Sequence, residues 1–204
     1  PLVRSVGGEV GIRTSALPGL RSTVTLWTVD LDSELLFVGD AGTTEASDGS
    51  TRVGLTVANF YRFAPGWSAD VDVSFTRARF VDVTEGEYRI PGAMENVLAA
   101  GLTYDTGQNG LTGSLRLRRF GTYPLIEDNS VRAQANTMAN LALGYRFGDI
   151  RLEVQMLNAF DEQLSDIQYF YGSRLQGEPG GGVDDVHFHP AEPRQFRVRL
   201  SWGL

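Results

Sequence analysis

The two histidines of the chain lie in one short segment whose residue types suit ligand binding. His187 and His189 are one residue apart and follow Asp184 and Asp185. In an extended segment both imidazoles point to the same side, about 7 Å apart at roughly 3.3 Å of rise per residue. Imidazole and carboxylate groups together suit a transition metal. The alternative is a loop whose polar side chains only order its own backbone. Because no third metal ligand is defined, the histidines are ligand-binding candidates and no metal site is assigned.

Arginines and aromatic residues supply the other candidate binding groups. Six arginines fall on the polar side of strand-like segments and can present a cationic wall to an anionic ligand such as a metal chelate: Arg116, Arg118, Arg146, Arg151, Arg197 and Arg199. Tyr169 and Tyr171 flank Phe170 in the longest loop-like segment, where aromatic rings can stack on a ligand. The alternatives are that the arginines pair with carboxylates such as Glu153, Asp70 and Asp72, and that the aromatic rings pack within the loop. The predicted ligand-binding residues are Arg118, Arg151, Tyr169, Tyr171, His187 and His189.

No pattern in the chain points to catalysis. There is no cysteine, no Gly-x-Ser-x-Gly turn, no phosphate-binding glycine loop and no zinc-protease helix signature. The run Gly180 to Gly182 has no strand-to-helix unit around it and is interpreted as a flexible loop. We expect no enzyme activity and no cofactor.

The bulk composition excludes two classes of protein. The 204 residues carry a net charge of −7, which argues against a nucleic-acid partner because such proteins present a basic field. No apolar stretch approaches the roughly 18 residues of a transmembrane helix. Pro1 leads directly into strand-like sequence, so we expect a mature protein or a piece of a longer one rather than a chain with a signal peptide.

The elements that must position the candidate residues are strands. In the last segment, 195–204, the even positions Phe196, Val198, Leu200 and Trp202 are apolar and the odd ones are polar or small. Successive side chains of a strand point to opposite faces, so one face is apolar and the other cationic. The second segment places Trp27, Val29 and Leu31 on one face in the same way. About nine such segments are predicted, with a bulge near Arg77 to Phe80, and no helix-period segment competes with them.

The connections between these segments alternate in length. Those after segments one, three, five and seven are short, and those after two, four, six and eight are long. In an antiparallel up-and-down sheet, alternate connections lie at the same end, so the long loops share one end. Acidic residues concentrate there or beside it: Asp40, Glu45, Asp48, Asp82, Glu85, Glu87, Glu127, Asp128, Asp161, Glu162, Glu178, Asp184, Asp185 and Glu192. Short turns at one end, long loops at the other and aromatics at strand ends are typical of an outer-membrane β-barrel.

Several segments resemble one family of such barrels. Leu157-Asn158-Ala159-Phe160-Asp161 resembles the Asn-x-Phe-Asp signature at the end of the penultimate strand of TonB-dependent outer-membrane receptors. Weaker resemblances lie at Ser33 to Glu45, Arg89 to Ala93 and Tyr145 to Phe147. The likeness covers essentially the whole chain. Two features depart from the pattern: the last residue is Leu204 where an aromatic is usual, and Asn158 falls on the outward parity of its strand.

The resemblance implies an all-β fold, namely an antiparallel up-and-down transmembrane barrel. Residues 1–204 would be about nine strands from the C-terminal part of a 22-stranded barrel, without the plug domain and the TonB box. It also implies an outer-membrane location and active uptake of a scarce ligand such as a siderophore or another metal complex. The expected partners are outer-membrane lipid, the TonB complex through an N-terminal region, and a small-molecule ligand at the extracellular loops.

Two other architectures fit the strand pattern. One is a small, self-contained porin-like barrel in the outer membrane. The other is a soluble β-sandwich binding module, in which the apolar face of one sheet packs on a second sheet. Burial of Phe196, Val198, Leu200 and Trp202 under a second protein layer would favour the sandwich.

Overall fold

The computed structural model describes residues 4–38, 43–81, 83 and 85–203. Three residues singled out in the sequence, Asp40, Asp82 and Leu204, lie outside this set, as does part of the segment Ser33 to Glu45. Among the described residues, no helix is long and apolar enough to cross a membrane.

Strands account for most of the described chain. Their bounds are β1 Ser5–Thr14, β2 Leu20–Leu31, β3 Leu35–Val38, β4 Thr43–Ala46, β5 Ser50–Ala64, β6 Trp67–Phe80, β7 Asn96–Tyr104, β8 Gly110–Phe120, β9 Asn136–Phe147, β10 Ile150–Leu157, β11 Ser165–Ser173, β12 Val183–Pro190 and β13 Gln195–Trp202. Nine of them form one sheet in the order β1-β2-β5-β6-β7-β8-β9-β10-β13. The predicted all-β class and the nine main strands are confirmed.

Each strand of the large sheet pairs antiparallel with the strand of that sheet that follows it in the sequence, so that β2 pairs with β5 and β10 with β13. The connections alternate as predicted: 15–19, 65–66, 105–109 and 148–149 are short, and all four long connections lie at the opposite end. Two of the long connections contain hairpins of their own, β3–β4 and β11–β12, which the sequence interpretation treated as loops.

The register places the apolar side chains of neighbouring strands on one face. Val154 of β10 lies between Val198 of β13 and Leu143 of β9, so residues of matching parity form continuous apolar rows across the strands. These side chains are not covered by protein. On β13 the exposed fractions rise from 66% at Phe196 to 72% at Trp202. No second sheet packs on this face among the described residues, which overturns the β-sandwich alternative.

The sheet is open at both sides. Among the described residues, β1 pairs only with β2 and β13 pairs only with β10. The chain by itself therefore does not close into the small barrel considered above. In hydrocarbon every backbone polar group needs a partner, so this sheet requires further strands at both edges to span a bilayer.

The hydrophobic core lies under the long loops. One cluster consists of Ala78, Phe80 and Ile90, with exposed fractions of 8% or less. Ala78 and Phe80 have the parity of the polar face, and β5 and β6 stay in regular register from Ser50 to Arg62. The predicted bulge near Arg77 to Phe80 is therefore wrong. The pattern changes there because apolar residues on the inner face pack beneath the loop. The irregularity in the pairing of β5 with β6 lies beside the short turn instead, between Arg62 and Ala64.

The second strand departs from the simple pattern. Val10 pairs with Leu26, whereas Trp27 pairs with Glu9 and so lies on the polar face. The indole Nε1 of Trp27 donates to Thr56 Oγ1 at 3.3 Å. Its ring covers Gly54, where any Cβ would collide with it. The face that carries Trp27 and Val29 is thus the inner face, and the outer face of this strand is formed by Val24 and Leu26, which are 42% and 54% exposed.

Four aromatic side chains lie on the outer face, at the end of the sheet where the short turns are. The rings of Tyr61, Phe63, Trp67 and Tyr104 follow one another at centroid distances of 5.9, 6.1 and 4.9 Å. Such girdles lie at the interface between membrane and water. In outer-membrane barrels the short turns lie at the periplasmic side and the long loops at the extracellular side.

The assignment of faces predicts that an added charge costs much more stability at one residue of β10 than at the next. In the complete protein, Val154→Arg places a charge in the middle of the apolar band and is expected to lower the free energy of unfolding by about 2–4 kcal/mol. Gln155→Arg, one residue away on the inner face, is the matched control and should change it by less than about 1 kcal/mol. Denaturant unfolding in lipid vesicles measures both values. Equal costs at the two positions would contradict the assignment of faces.

Candidate ligand-binding surface

The six predicted ligand-binding residues fall in three places. Tyr169, Tyr171, His187 and His189 lie together on the hairpin β11–β12. Arg118 lies on the inner face of β8, two residues from its loop end. Arg151 is the second residue of β10, next to a short turn at the other end of the sheet. The structure therefore unites four of the six candidates and separates the two arginines from them.

The four hairpin residues share one face, which we call the Tyr–His face. Tyr169 pairs with His187, and His189 pairs with Ile167. The rings of Tyr171 and His187 are stacked, with centroids 3.8 Å apart and planes 16° from parallel. The Nε2 atom of His187 lies 3.1 Å from the carbonyl oxygen of Tyr171. His189 is exposed, and its Nδ1 is 3.6 Å from Asp166 Oδ2.

The two histidines have the shared parity that the sequence predicts. Within the described part of the chain, no group of three or more His, Asp or Glu side chains is arranged to hold a metal ion. What the Tyr–His face offers is a fixed pair of rings, Tyr171 and the half-buried His187, with the exposed imidazole of His189 beside it. Such a surface can stack on a planar ligand group and exchange a hydrogen bond with it.

The opposite face of the hairpin fixes it to the loop between β8 and β9. Phe170 and Val186 pack against the buried cluster of Tyr123, Leu125 and Ala133. Gln168 and Gln134, which lie at the edge of this contact, form two reciprocal hydrogen bonds. The backbone N of Gln134 donates to the side-chain oxygen of Gln168 at 3.2 Å, and the Gln168 amide returns a bond of 3.3 Å to the Gln134 carbonyl. The hairpin is thus a packed element, and the Tyr–His face has a defined orientation.

Neighbouring loops join the same layer through charged groups. Glu95, just before β7, accepts from Arg89 Nη1 at 2.8 Å and is also paired with Arg132. The backbone N of Arg89 donates to the Glu127 carbonyl at 3.0 Å, and Gly92 N donates to the Pro124 carbonyl at 2.9 Å. The loops 81–95 and 121–135 are therefore bonded to each other, and the second loop is also bonded to the hairpin.

Asn158, in the Asn-x-Phe-Asp segment, holds the two ends of the longest connection together. Its exposed fraction is 1%, and its φ of 48° turns the chain away from β10, which ends at Leu157. The side-chain Nδ2 donates to the carbonyls of Glu162 and Glu192 at 2.9 and 3.2 Å. Its Oδ1 accepts from the Glu162 N at 3.2 Å, and Asn140 Oδ1 accepts from the Asn158 N at 3.0 Å. The unexpected parity of Asn158 is explained because the strand has ended before it.

Asp161 completes this junction. It also has a positive φ, 56°, and its Oδ1 accepts from the backbone N of Arg194 at 3.2 Å. The Oδ2 atom pairs with the Arg194 guanidinium at 3.1 Å. The motif could be recognised in the sequence, but its role as the base of the hairpin-bearing loop depends on partners more than 30 residues away.

The inner face of the sheet carries both paired and unpaired arginines. Arg116 donates to the two oxygens of Asp70 at 2.6 and 2.8 Å, in the space left by Gly101, where a Cβ would collide with both side chains. Arg118 is exposed, lies over the Phe120 ring at 4.9 Å and has no carboxylate partner among the described residues. Both arginines border a cleft of about 270 Å³ that also includes Asn140.

Arg151 pairs with a carboxylate, which was the alternative prediction for the arginines. Its Nη2 lies 2.6 Å from Glu153 Oε2, and Glu153 is only 8% exposed. The remaining carboxylate oxygen accepts from Gln155 Nε2 at 2.6 Å. Arg146 is likewise paired, with Asp105 at 3.3 Å. These pairs leave little of the Arg151 charge available to a ligand.

A cleft of small-molecule size lies beside the hairpin. Its volume is about 570 Å³, the size of a small-molecule site. The lining combines the junction residue Asp161 with Gln134, Gln168, Val186 and Phe188. Phe188 is 61% exposed and so presents its ring to the open side.

Comparison with known proteins finds similarity to receptors and transporters. No protein-family model matches the chain. The pesticin receptor of Yersinia enterocolitica is 26% identical over 180 residues, which cover 83% of this chain and 26% of the receptor. The chain therefore spans about a quarter of the length of the curated relatives it matches.

Three solved structures illustrate the likeness in fold. The ferric yersiniabactin uptake receptor FyuA from Yersinia pestis superposes with a TM-score of 0.73 at 19% identity, over 98% of this chain and 30% of that one. The ferric citrate transporter FecA gives 0.71 at 16% identity, over 97% and 31%. The ferric-catecholate import receptor Fiu from Escherichia coli K12 gives 0.69 at 18%, over 98% and 27%. All three are named as receptors or transporters.

Loss of the Asn158 side chain should free the hairpin. Asn158→Ala leaves the Glu162 N and two carbonyls without their buried partner, which is expected to lower the opening free energy of segment 158–194 by roughly 2–4 kcal/mol. Hydrogen exchange of the complete protein in detergent measures this value. Asn109→Ala is the control, because Asn109 Oδ1 accepts only one bond, from Gly148 N at 2.9 Å, at the other end of the sheet. Unchanged protection in Asn158→Ala would contradict the role given to this residue.

The hairpin contact also predicts an alkaline titration. Burial raises the pKa of the Tyr123 hydroxyl above its ordinary value of 10.0, and a hydrogen bond with the Gln168 backbone offsets part of the rise. The stability that the neutral hydroxyl contributes is therefore present below pH 10 and lost as the pH rises through the raised pKa. Subtracting the ultraviolet tyrosinate titration of Tyr123→Phe from that of the parent protein should give one group titrating above pH 10. A difference curve centred at or below pH 10 would show that Tyr123 is not buried in this contact.

Proposed function

We propose that this chain, which is part of the β-barrel of a TonB-dependent outer-membrane receptor, forms one wall of an uptake path for an anionic metal chelate. The family resemblance and the outer-membrane location expected from the sequence are confirmed. In the proposal the nine strands are the C-terminal part of the barrel, and the plug and TonB-contacting segments belong to the rest of the protein. TonB would supply the energy, as in the family generally.

The observation that carries the proposal is the distribution of charge on the inner face of the sheet. Arg197 and Arg199 of β13 point to this face and have no carboxylate within 4.0 Å among the described residues, and the same holds for Arg118. Glu153 lies opposite Arg199 in the register, but its oxygens are bonded to Arg151 and Gln155. A wall with surplus guanidinium groups favours an anion, because charge of one sign along a concave surface raises the local concentration of the opposite charge.

The hairpin β11–β12 lies at the end of this wall where the ligand would enter. In the proposal the Tyr–His face, at the extracellular end, makes the first contact with the ligand by stacking and by hydrogen bonding. Arg118, near the loop end of β8, then contacts the anionic groups of the chelate once it enters the lumen. Arg151 has a structural role through its pair with Glu153. The relatives named for uptake of ferric yersiniabactin, ferric catecholate and ferric citrate support a metal chelate as the ligand class.

Uptake by cells that express the complete receptor tests the proposal. The probes are radiolabelled ferric citrate, a ferric tris-catecholate and an uncharged ferric hydroxamate. Replacement of Arg118, Arg197 and Arg199 by Gln should reduce uptake of an anionic chelate on the order of tenfold and change that of the neutral one much less. Arg174→Gln, on the exposed part of the loop, is the control and should have no effect.

Two results would contradict the proposal. Equal loss for the anionic and neutral chelates would show that the three arginines do not select charge. Uptake that persists undiminished in cells without TonB would point to a passive pore instead, which is the porin-like alternative.

A further inference from the structure

Three arginines stand on the outer, lipid-facing side of the sheet. Arg77 pairs with Val53, and the regular register continues to Arg79, so both share the parity of Phe75, which is 54% exposed. Arg119 on β8 pairs with Leu98 and follows the outward-facing Leu117 by two positions. In each strand the arginine comes directly after the last apolar outward residue, on the side of the long loops. We call Arg77, Arg79 and Arg119 the arginine rim.

The height of the rim agrees with one boundary of a bilayer. Trp67, in the aromatic girdle, and Arg77 lie ten residues apart on β6, or about 33 Å along a strand. A tilt of roughly 40° reduces this separation to about 25 Å, which is the height of the apolar band in outer-membrane barrels. With Trp67 at the periplasmic interface, the arginine rim is level with the headgroups of the outer leaflet.

The rim arginines lack the carboxylate partners that nearly half of the other arginines have. Seven arginines of the described chain form ion pairs with carboxylates: Arg52, Arg89, Arg116, Arg132, Arg146, Arg151 and Arg194. None of the three rim arginines has such a partner within the described residues. Arg119 donates to Thr137 Oγ1 at 2.8 Å, and Arg79 lies over the Tyr88 ring at 4.5 Å.

These neutral contacts fix the direction of two guanidinium groups without cancelling their charge. The nearest outward acid in the register, Asp30, accepts from Thr51 Oγ1 at 2.7 Å. The rim therefore retains a net positive charge on a protein whose overall charge is −7. A cationic patch at headgroup height needs an anion that is itself anchored in the membrane.

We propose that the arginine rim binds the phosphate groups of phosphorylated lipids in the outer leaflet. A guanidinium group offers parallel N–H donors that match phosphate oxygens, and it is weakly hydrated at an interface. Bound lipid would seal the outer surface around β6 to β8 and fix the depth of the barrel in the membrane. The inference depends on the outer-membrane location and the register, and not on which ligand is transported.

The test measures lipid retained by the complete receptor purified in detergent. Receptor is exposed to vesicles that contain a phosphorylated outer-leaflet lipid or its dephosphorylated form, and bound lipid is counted by native mass spectrometry. Each interfacial arginine contributes about a fivefold change in affinity, so Arg77→Gln, Arg79→Gln and Arg119→Gln together should reduce retention of phosphorylated lipid about a hundredfold. The corresponding Lys variant keeps the charge and should restore most of it.

A matched variant tests whether lipid binding depends on the position of the arginines or only on the total charge of the protein. Gln in place of Arg13, Arg197 and Arg199 removes the same charge from the inner face and should leave lipid retention unchanged. The proposal is overturned if both triple variants lose lipid equally, if the rim variant retains as much as the parent protein, or if phosphorylated and dephosphorylated lipids bind alike. Competition by millimolar inorganic phosphate as effective as that of the lipid would show a free-anion site instead. If an acidic protein, and not lipid, copurifies with the receptor and is lost from the rim variant, the proposal is also wrong.

Discussion

The pairing of backbone amides across the sheet is the constraint on which the rest of the structure depends. A strand that crosses hydrocarbon must bond every N–H and C=O to a neighbouring strand, and those bonds fix the register. Once the register is fixed, the period of two decides the environment of each side chain. Val154, Val198 and Leu143 then form one row facing lipid, while Glu153 and Arg199 lie opposite each other on the inner face. Both the inner wall and the arginine rim follow from that register.

This constraint also explains where the chain keeps its core. Since the outer face is apolar and uncovered and the inner face carries polar and charged side chains, neither face of the sheet holds a conventional core. Buried apolar clusters occur under the loops, around Ile90 and around Tyr123. The second cluster fixes the hairpin β11–β12, and Asn158 ties the base of the same connection. The Tyr–His face is therefore supported by packing on its reverse side, which in the proposed function would lower the entropy cost of ligand binding.

Much of this architecture could be predicted from local patterns. The alternation in β13 and the sequence of short and long connections define nine strands and their faces, because these signals need only neighbouring residues. Trp27 could not be placed in this way: its strand is apolar on both sides, and only pairing with Glu9 assigns it to the inner face. The hairpin was missed because its two strands lie in a segment dense in Gly, Asp and Pro. The partners of Asn158 were missed because they lie in backbone groups, which have no sequence signature. Of the candidate site, the parity of His187 and His189 was predictable, whereas their contact with Tyr171 and the pairing of Arg151 required coordinates.

The most direct test of the account is the environment of successive residues along β13 in the complete receptor in a lipid bilayer. The described chain has no cysteine of its own, so single cysteines at positions 196–202 can carry a spin label. Collision rates with oxygen dissolved in lipid should be highest at 196, 198, 200 and 202, and those with a water-soluble nickel chelate highest at 197, 199 and 201. Rates without this period of two, or with the opposite phase, would contradict the claim that the apolar face of the sheet meets lipid while the arginine face encloses the path.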